Sequence, residues 1–392
     1  MVRDETQQDP ARVRVAVIGM GWMGRVHAQA YARVPHHYPD GPAVPVLAAV
    51  ADDVPGRAEA FAARFGAAAS YTDWRAVLDD PAIDAVSVTV PNFLHREIGV
   101  AVLDAGKHLW IEKPVGLTAA DATAVAEAAA RNDRRTTVGF NYRNAPAVQA
   151  ARAMLADGRL GTVTHARFRL FSDYAAHPDG ALTWRYHRDR GGNGVLGDLG
   201  SHGVDLITYL LGGIDAVVAD TAIFIPERSE PTGATSGHQL ATSGVRGPVE
   251  NEDYLSAQLR LTSGARCVLE ASRVAVGEQN SYGFEIHGTA GMVRWDYRRM
   301  GELEASFGTE FQDQPVATVH VGPGSGDYAA FQPGAANPMG YDDLKVIEAQ
   351  HFLRSIVTGV PEGATVEDAV RSARALDAMT RSVDEGRWIA LG

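Results

Sequence analysis

Two pairs of side chains in this sequence of 392 residues combine an ionisable group with a neighbour that could assist its chemistry. Asp198 and His202 stand four residues apart in GVLGDLGSHGVDLITYLLGG, which begins in glycine and continues as an amphipathic helix pattern. Side chains at this spacing lie on one face of a helix. The pair fits a catalytic pair, half of a metal site or a solvated surface pair, and the helix pattern alone does not choose between them.

The second pair, Glu112 and Lys113, directly follows the predicted buried strand HLWI. Open α/β sheets bind their ligands at the carboxyl ends of parallel strands. Lys113 could therefore place a positive charge beside a developing alkoxide. Pro114 fixes the local turn, and the Lys113–Pro114 peptide bond is a candidate for the cis form. A surface salt bridge is the alternative, and position alone favours neither.

A glycine-rich loop, GMGWMG, joins the predicted strand VRVAVIG to the predicted helix WMGRVHAQAYARV. In a dinucleotide site the first glycine allows a tight turn, the second admits the pyrophosphate and the third allows helix and strand to pack closely. The pyrophosphate then faces the helix N-terminus. The loop residues assigned to cofactor binding are Gly19, Gly21, Trp22, Met23 and Gly24.

An acidic residue is expected at the end of the second strand, where it would bind the adenine ribose. Asp52 in AAVADD ends that strand, and Asp53 is the competing candidate. The distance from the glycines exceeds the usual ~20 residues, and the insertion PHHYPDGPAVP accounts for the difference. A carboxylate there repels a 2′-phosphate, so we predict NAD rather than NADP as the cofactor.

The pattern of apolar residues changes near residue 140. Before that point strands and helices alternate, which predicts an N-terminal Rossmann domain with a parallel sheet over residues 1–140. After it, period-two runs joined by glycine-containing turns predict a C-terminal α+β domain over residues 141–392, with a large, mostly antiparallel open sheet. The segments 226–250 and 321–340 are predicted to be long loops. The predicted fold class is α/β.

Composition excludes several classes of protein. A net charge of −12 argues against a nucleic-acid-binding surface, and no apolar run reaches the ~18 residues of a membrane span. The polar N-terminus lacks the apolar core of a signal peptide, so we expect a cytoplasmic protein. The single cysteine, Cys267, allows no intramolecular disulfide. No cluster of Cys and His stands at metal-ligand spacing, and we predict no metal site.

Four stretches resemble, in order and spacing, the Gfo/Idh/MocA family of glucose–fructose oxidoreductase and inositol dehydrogenases. They are GMGWMGRVHAQAY, VPNFLHREIGVAVLDAGKHLWIEKPVGLT, GFNYRNAPAVQAAR and GDLGSHGVDLITYLLG. The resemblance implies a catalytic Lys113 and two further active-site groups, Asp198 and His202. The family's common TPN is replaced by Val90-Pro91-Asn92, with little expected consequence. The C-terminal half is similar to dehydrogenases of sugars and of anhydrosugars such as levoglucosan.

The resemblance implies an NAD(P)-dependent oxidoreductase acting on CH–OH groups (EC 1.1.1.-). The expected reaction is oxidation of a secondary hydroxyl on a cyclic polyol: a pyranose sugar, glycoside, anhydrosugar or inositol. His202 would be the general base, Asp198 would orient it or the substrate, and Lys113 would stabilise the alkoxide. A redox-assisted NAD-dependent glycosidase and a keto-sugar reductase are the alternatives. A non-catalytic dinucleotide sensor is disfavoured because all three residues are present.

Further contacts are expected around the same cleft, which the loop WRYHRDRGGNG would cover. Those assigned to the cofactor are Pro91, Asn92, His95, Glu112, Lys113, Trp184 and Arg185. Those assigned to the substrate are Lys113, Tyr142, Asp173, Arg185, Asp198 and His202. By analogy with the family we expect a homodimer or homotetramer.

Overall fold

The computed structural model describes residues 10–231, 239–242 and 244–391. Its N-terminal part alternates strands and helices. The strands are β1 Ala11–Ile18, β2 Ala43–Ala51, β3 Ala69–Tyr71, β4 Ala85–Val88, β5 His108–Ile111 and β6 Thr136–Val138. The helices are α1 Trp22–His37, α2 Arg57–Phe65, α3 Arg75–Asp79, α4 His95–Asp104 and α5 Ala119–Arg131. The six strands form one parallel sheet in the order β3-β2-β1-β4-β5-β6, which confirms the predicted Rossmann sheet.

The central strands of this sheet are continuous apolar runs because helices cover both of their faces. All four residues of β4 are buried, and so are the last three of β5. The polar groups that do chemistry therefore lie beyond the strand ends. The glycine loop follows β1, Asp52 follows β2 and Lys113 stands two residues after β5.

The C-terminal part contains a second sheet. Its strands and those of an adjacent hairpin are β7 Val163–Phe171, β8 Ile214–Ala222, β9 Glu227–Ser229, β10 Arg246–Pro248, β11 Tyr254–Leu261, β12 Arg266–Ser272, β13 Ser281–Gly288, β14 Gly291–Asp296, β15 Glu302–Phe307, β16 Ala317–His320 and β17 Ile389–Ala390. Nine of them pair in the order β16-β15-β14-β13-β7-β12-β11-β8-β17, while β9 pairs with β10. Every neighbouring pair is antiparallel except β7 and β12, so the predicted mostly antiparallel sheet is confirmed.

Two long helices return from the C-terminal part to the first domain. The C-terminal helices are α6 Pro146–Ala156, α7 Arg188–Gly191, α8 Ser201–Leu211, α9 Tyr341–Thr358 and α10 Val366–Glu385. Apolar residues of α9, such as Phe352, join the core that contains Trp110 of β5. Val366 of α10 joins the core on the other face of the parallel sheet. The chain after residue 340 therefore completes the hydrophobic core of the nucleotide-binding domain.

The structure differs from the prediction mainly in short elements. The segment 226–250, predicted as a loop, contains the paired strands β9 and β10. Their sequences, ERS and RGP, have no apolar alternation from which a strand could be inferred. The predicted loop 321–340 contains one 3₁₀ turn, Tyr328–Ala330, in its described residues. The N-terminal stretch 1–9 lies outside the described residues, and no helix within them is long and apolar enough to cross a membrane.

Candidate active site

Lys113 brings the two domains together at the carboxyl end of the parallel sheet. It follows β5, and its peptide bond to Pro114 is cis. Its Nζ donates one hydrogen bond to the main-chain oxygen of Asp198 and a second to Asp198 Oδ1, each 2.8 Å long. The Lys113 side chain is mostly buried, with 14% of its surface exposed, while 44% of the Asp198 side chain faces the cleft. The ammonium is thus held at the cleft floor by a partner from the other domain.

Asp198 lies in a π-helical turn, Leu196–Gly200, that precedes α8. Residues four apart lie on one face only in an α-helix, so the spacing of Asp198 and His202 does not put them on a shared face here. Isolated π turns often occur at functional sites because they redirect side chains. Here Asp198 Oδ2 accepts a 2.5 Å hydrogen bond from the Tyr174 hydroxyl. The surrounding protein atoms partly desolvate Asp198 and favour its neutral form, although 44% of the side chain is exposed. The Lys113 ammonium and the Tyr174 hydroxyl outweigh this effect and hold the pKa well below its usual value.

His202 is packed among aromatic rings on the first turn of α8. Its ring centroid lies 4.5 Å from that of Tyr142 and 6.0 Å from that of Phe140. Burial, followed by the charge of Lys113, lowers the pKa of His202 well below its usual value. The imidazole is therefore neutral at neutral pH and able to accept a proton. No hydrogen bond among the described residues joins His202 to Asp198, and the contacts that orient this histidine are with the aromatic rings.

The glycine loop has the shape that a dinucleotide requires. A Cβ on Gly24 would lie 2.1 Å from the carbonyl oxygen of Gly19, so any side chain there would separate α1 from the loop. A Cβ on Gly21 would meet no atom within 4 Å, which leaves open space where a pyrophosphate would approach the backbone. Thr89, just after β4, donates a 2.6 Å hydrogen bond to Gly19 O. Trp22 is 59% exposed and stacks on Tyr341 at 5.4 Å.

Two acidic residues stand at the end of β2, and their surroundings differ. Asp52 is buried and accepts hydrogen bonds from the backbone N–H groups of Met20 (2.7 Å) and Val54 (2.9 Å). It also binds the Arg57 guanidinium at 3.2 Å. Asp53 is exposed to solvent. Asp52 thus ties the glycine loop to β2, and the arrangement sets a carboxylate and a guanidinium together where the ribose of a nucleotide would lie.

Glu112 lies behind Lys113, in a buried cluster of charged groups. Its Oε1 accepts hydrogen bonds from His27 Nε2 (3.0 Å) and Lys345 Nζ (2.6 Å). Lys345 also binds Glu348 Oε1 at 2.8 Å. Within the described residues, His27, Glu112 and Glu348 are the one group that could converge on a metal ion. The Lys345 ammonium already bonds to both carboxylates and supplies the positive charge there.

Comparisons with known proteins cover both domains of the chain. The family model for the NAD-binding Rossmann fold of Gfo/Idh/MocA oxidoreductases matches residues 13–140, and the model for the C-terminal domain of that family matches residues 148–294. Levoglucosan dehydrogenase of Pseudarthrobacter phenanthrenivorans is 35% identical over 96% of this chain and 97% of its own. The chain belongs to the Gfo/Idh/MocA family.

Two further relatives extend the comparison to inositol enzymes and to a liganded structure. Inositol 2-dehydrogenase of Rhizobium meliloti is 26% identical over 97% of this chain and 99% of its own. A structure of levoglucosan dehydrogenase in complex with NADH and levoglucosan superposes with a TM-score of 0.90, at 34% identity, covering 97% of this chain and 99% of that one. The predictions of an oxidoreductase and of NAD as its cofactor are confirmed.

In this Gfo/Idh/MocA protein the loop around Trp184 lies over the nucleotide-binding domain. Asn92, directly after Pro91, donates a 3.2 Å hydrogen bond to Gly191 O. The Trp184 ring makes an edge contact with Phe93 at 6.3 Å, and the Arg185 guanidinium covers the same indole at 4.5 Å. Trp184 and Arg185 therefore lie on the side of the cleft that is formed by the residues after β4.

For two of the predicted contact residues, His95 and Asp173, the described side-chain contacts do not include the cleft. His95 is 1% exposed and its ring nitrogens contact Pro114 O at 2.7 Å and Val90 O at 2.8 Å. It therefore lies under the two loops, with both ring nitrogens in contact with backbone. Asp173 has, within the described residues, no side-chain hydrogen bond to the cleft. Its neighbour Tyr174 makes that contact instead.

Several residues of this site were not anticipated from the sequence, among them Tyr174, Tyr282 and Lys345. Tyr174 stands after a strand in FSDY, where a tyrosine and an aspartate are equally plausible contacts. Tyr282 packs on Tyr142 at 5.7 Å from a strand 140 positions later. Lys345 reaches Glu112 across 233 residues. The sequence around each of them carries no motif that marks it as a site residue.

Proposed function

We propose that this protein oxidises a secondary hydroxyl of a cyclic polyol, with NAD as the hydride acceptor. The observation that carries the proposal is the 2.8 Å contact between Lys113 and Asp198, which joins the two domains beside the neutral His202. The dehydrogenase relatives of levoglucosan and inositol support a pyranose, glycoside, anhydrosugar or inositol as the substrate class.

Three side chains would divide the chemistry. His202 is neutral and takes the proton of the substrate hydroxyl as general base. The Lys113 ammonium stabilises the alkoxide that develops on the same oxygen. Asp198 holds Lys113 in place through Oδ1 and stays ionised, so that the ammonium keeps its direction. Bound NAD supplies the acceptor for the hydride from the substrate carbon.

An aromatic wall next to His202 supports a sugar or cyclitol as the substrate. The rings of Tyr142 and Tyr297 have centroids 5.1 Å apart, and those of Tyr142 and Tyr282 are 5.7 Å apart. Aromatic faces suit the C–H surfaces of a six-membered ring, while neighbouring charged groups suit its hydroxyls. Arg185 and Tyr174 would add such polar contacts.

The remaining finer assignments belong to the same proposal. The cofactor contacts comprise the glycine loop, Asp52, the strand ends after β4 and β5 and the Trp184–Arg185 pair. The protein acts in the cytoplasm as a homodimer or homotetramer, and the N-terminal domain ends near residue 140. The test of assembly is the molar mass of the purified protein by light scattering, for which a monomer contradicts the assignment.

The test of activity is NADH formation by the purified protein with NAD across inositols, free pyranoses, glycosides and levoglucosan. Turnover on one class and its loss in His202→Asn, with NADH affinity unchanged, is the expected result. Release of an aglycone without net NADH indicates the redox-assisted glycosidase instead. Activity only with keto-sugars and NADH indicates a reductase. NADH binding without turnover in any assay contradicts an enzymatic role.

A further inference from the structure

Arg228 on β9 is a buried cation whose hydrogen bonds go to main-chain oxygens. It is fully buried, and its Nη1 donates to His177 O at 3.0 Å and to Gly180 O at 3.4 Å. Its Nη2 donates to Ala175 O. A side chain at position 180 would collide with Arg228, because a Cβ on Gly180 would lie 2.3 Å from Arg228 Nη1. One guanidinium thus holds three carbonyls of a single loop.

The same guanidinium packs against a second segment of the cleft. Its carbon lies 4.5 Å from the ring centroid of Tyr186, and the Arg273 guanidinium lies 4.7 Å from that ring. Tyr186 is 5% exposed and ends the 3₁₀ turn that begins at Trp184. Cation–π contacts of desolvated guanidinium groups are stronger than those at the surface. The guanidinium groups of both Arg228 and Arg273 therefore pack on the Tyr186 ring.

Arg273 has its own acidic partner, whereas the described hydrogen bonds of Arg228 include no carboxylate. Arg273 Nε binds Asp253 Oδ1 at 2.8 Å, and its Nη2 binds Asn251 O at 3.0 Å. Asn251 in turn donates to Arg185 O at 2.8 Å. Burying an uncompensated charge is costly. The energetic cost of Arg228 is offset by backbone contacts that no apolar side chain could make.

The segment held by Arg228 carries two groups of the candidate active site. Tyr174, which binds Asp198, stands one residue before the Ala175 carbonyl, and Trp184 stands two residues before Tyr186. We propose that Arg228 is a positioning residue for the substrate side of the cleft: it fixes the segment 174–186 so that Tyr174 meets Asp198 and Trp184 meets Phe93. The expected effect of Arg228 on polyol turnover rests on the proposed function, whereas its effect on the order of the segment 174–186 does not.

Two substitutions and a matched control test this proposal. Arg228→Lys keeps the charge but loses the planar fork, and Arg228→Met removes both. The control is Arg246→Met on the paired strand β10, where Arg246 is exposed and binds Glu227. The measurements are KM and kcat for the best polyol, the Kd for NADH, and amide hydrogen exchange of residues 174–187.

Arg228→Met is expected to raise the substrate KM about tenfold and to speed exchange in 174–187, because buried carbonyls lose their donor. Arg228→Lys should give an intermediate value. Because Trp184 belongs to the same segment, the NADH Kd of Arg228→Met should rise as well, while the control should stay within about twofold of wild type in KM, exchange and NADH Kd. Unchanged KM and exchange in Arg228→Met overturns the proposal. If Arg228→Met does not fold, an Arg228→Lys variant with wild-type KM and exchange overturns it equally. A wild-type protein without polyol turnover would refute the proposed function, and the exchange comparison would still decide the role of Arg228.

Discussion

Lys113 Nζ binds both the main-chain oxygen and Oδ1 of Asp198 at 2.8 Å, so a single ammonium from the nucleotide-binding domain holds the π turn before α8. Asp198 Oδ2 is meanwhile occupied by the Tyr174 hydroxyl. The carboxylate therefore positions the lysine, and the orientation of His202 comes from the rings of Tyr142 and Phe140. The position of the Lys113 ammonium and the orientation of the His202 ring are therefore set by different contacts.

Lys113→Met is expected to lower kcat by about 10²–10³-fold, because the developing alkoxide loses its positive partner. The Lys113 charge also helps to lower the pKa of His202. Its removal raises that pKa, so the acid limb of the residual kcat/KM profile moves to higher pH. The measurement is a pH–rate profile of wild type and variant. Equal turnover, or an acid limb at unchanged pH, contradicts the assigned role.

Tyr174→Phe removes the 2.5 Å hydrogen bond to Asp198 while keeping the ring. We expect kcat/KM to fall about 10–150-fold, which corresponds to loss of one hydrogen bond to a charged group. Tyr254→Phe is the matched control, since Tyr254 binds the carboxylate of Glu270 at 2.7 Å on the C-terminal sheet, away from the cleft. Steady-state kinetics of Tyr174→Phe and Tyr254→Phe measure the loss of kcat/KM in each variant. Equal losses in the two would attribute the effect to general stability.

The glycine loop, the parallel sheet of alternating strands and helices and the two pairs of ionisable side chains could be inferred from sequence, because each rests on local spacing or on a buried apolar run. The same holds for the change of pattern near residue 140. These signals place Lys113 at the carboxyl end of a parallel strand, whereas the shared site of Lys113 and Asp198 was implied only by the family resemblance. They do not specify which atoms then bond.

The contacts that the sequence did not reveal depend on distant segments. The π turn changes the direction of Asp198, and no periodic pattern encodes it. Strand β9 has three residues without alternation, so the buried Arg228 looked like a loop residue. Lys345 binds Glu112 only because α9 returns to the first domain. Such pairings are set by tertiary packing, which a single sequence does not display.

The preference for NAD over NADP tests which of the two acids after β2, Asp52 or Asp53, binds the ribose of the cofactor. Asp52→Ser releases Arg57, whose guanidinium now binds Asp52 at 3.2 Å, and a free guanidinium favours a 2′-phosphate. We expect the ratio of kcat/KM for NADP to that for NAD to rise at least about tenfold. Asp53→Ser is the comparison variant, because Asp53 is exposed. If only Asp53→Ser changes the ratio, Asp53 is the ribose residue.

His27 gives the folded protein a specific sensitivity to acid. It is fully buried, its ring stacks on Trp110 at 3.6 Å, and Nε2 contacts Glu112 while Nδ1 has no partner among the described residues. Burial, together with the charge of Lys345, lowers the pKa of His27 from 6.5 to about 4. Below pH 6.5 the unfolded chain therefore binds a proton that the folded protein does not.

The free energy of unfolding must consequently fall as the pH drops from about 6.5 towards 4, and the His27 contribution at pH 5 is about 2 kcal/mol. His27→Gln retains an N–H donor for Glu112 and cannot titrate. Its loss of stability between pH 8 and pH 5 should be smaller than that of wild type by about this amount. Urea unfolding at both pH values measures this loss of stability.

His36→Gln, at an exposed position on the same helix, is the control and should lose as much stability between pH 8 and pH 5 as wild type does. A loss in His27→Gln equal to that of wild type would show that the buried ring is not the acid-sensitive group.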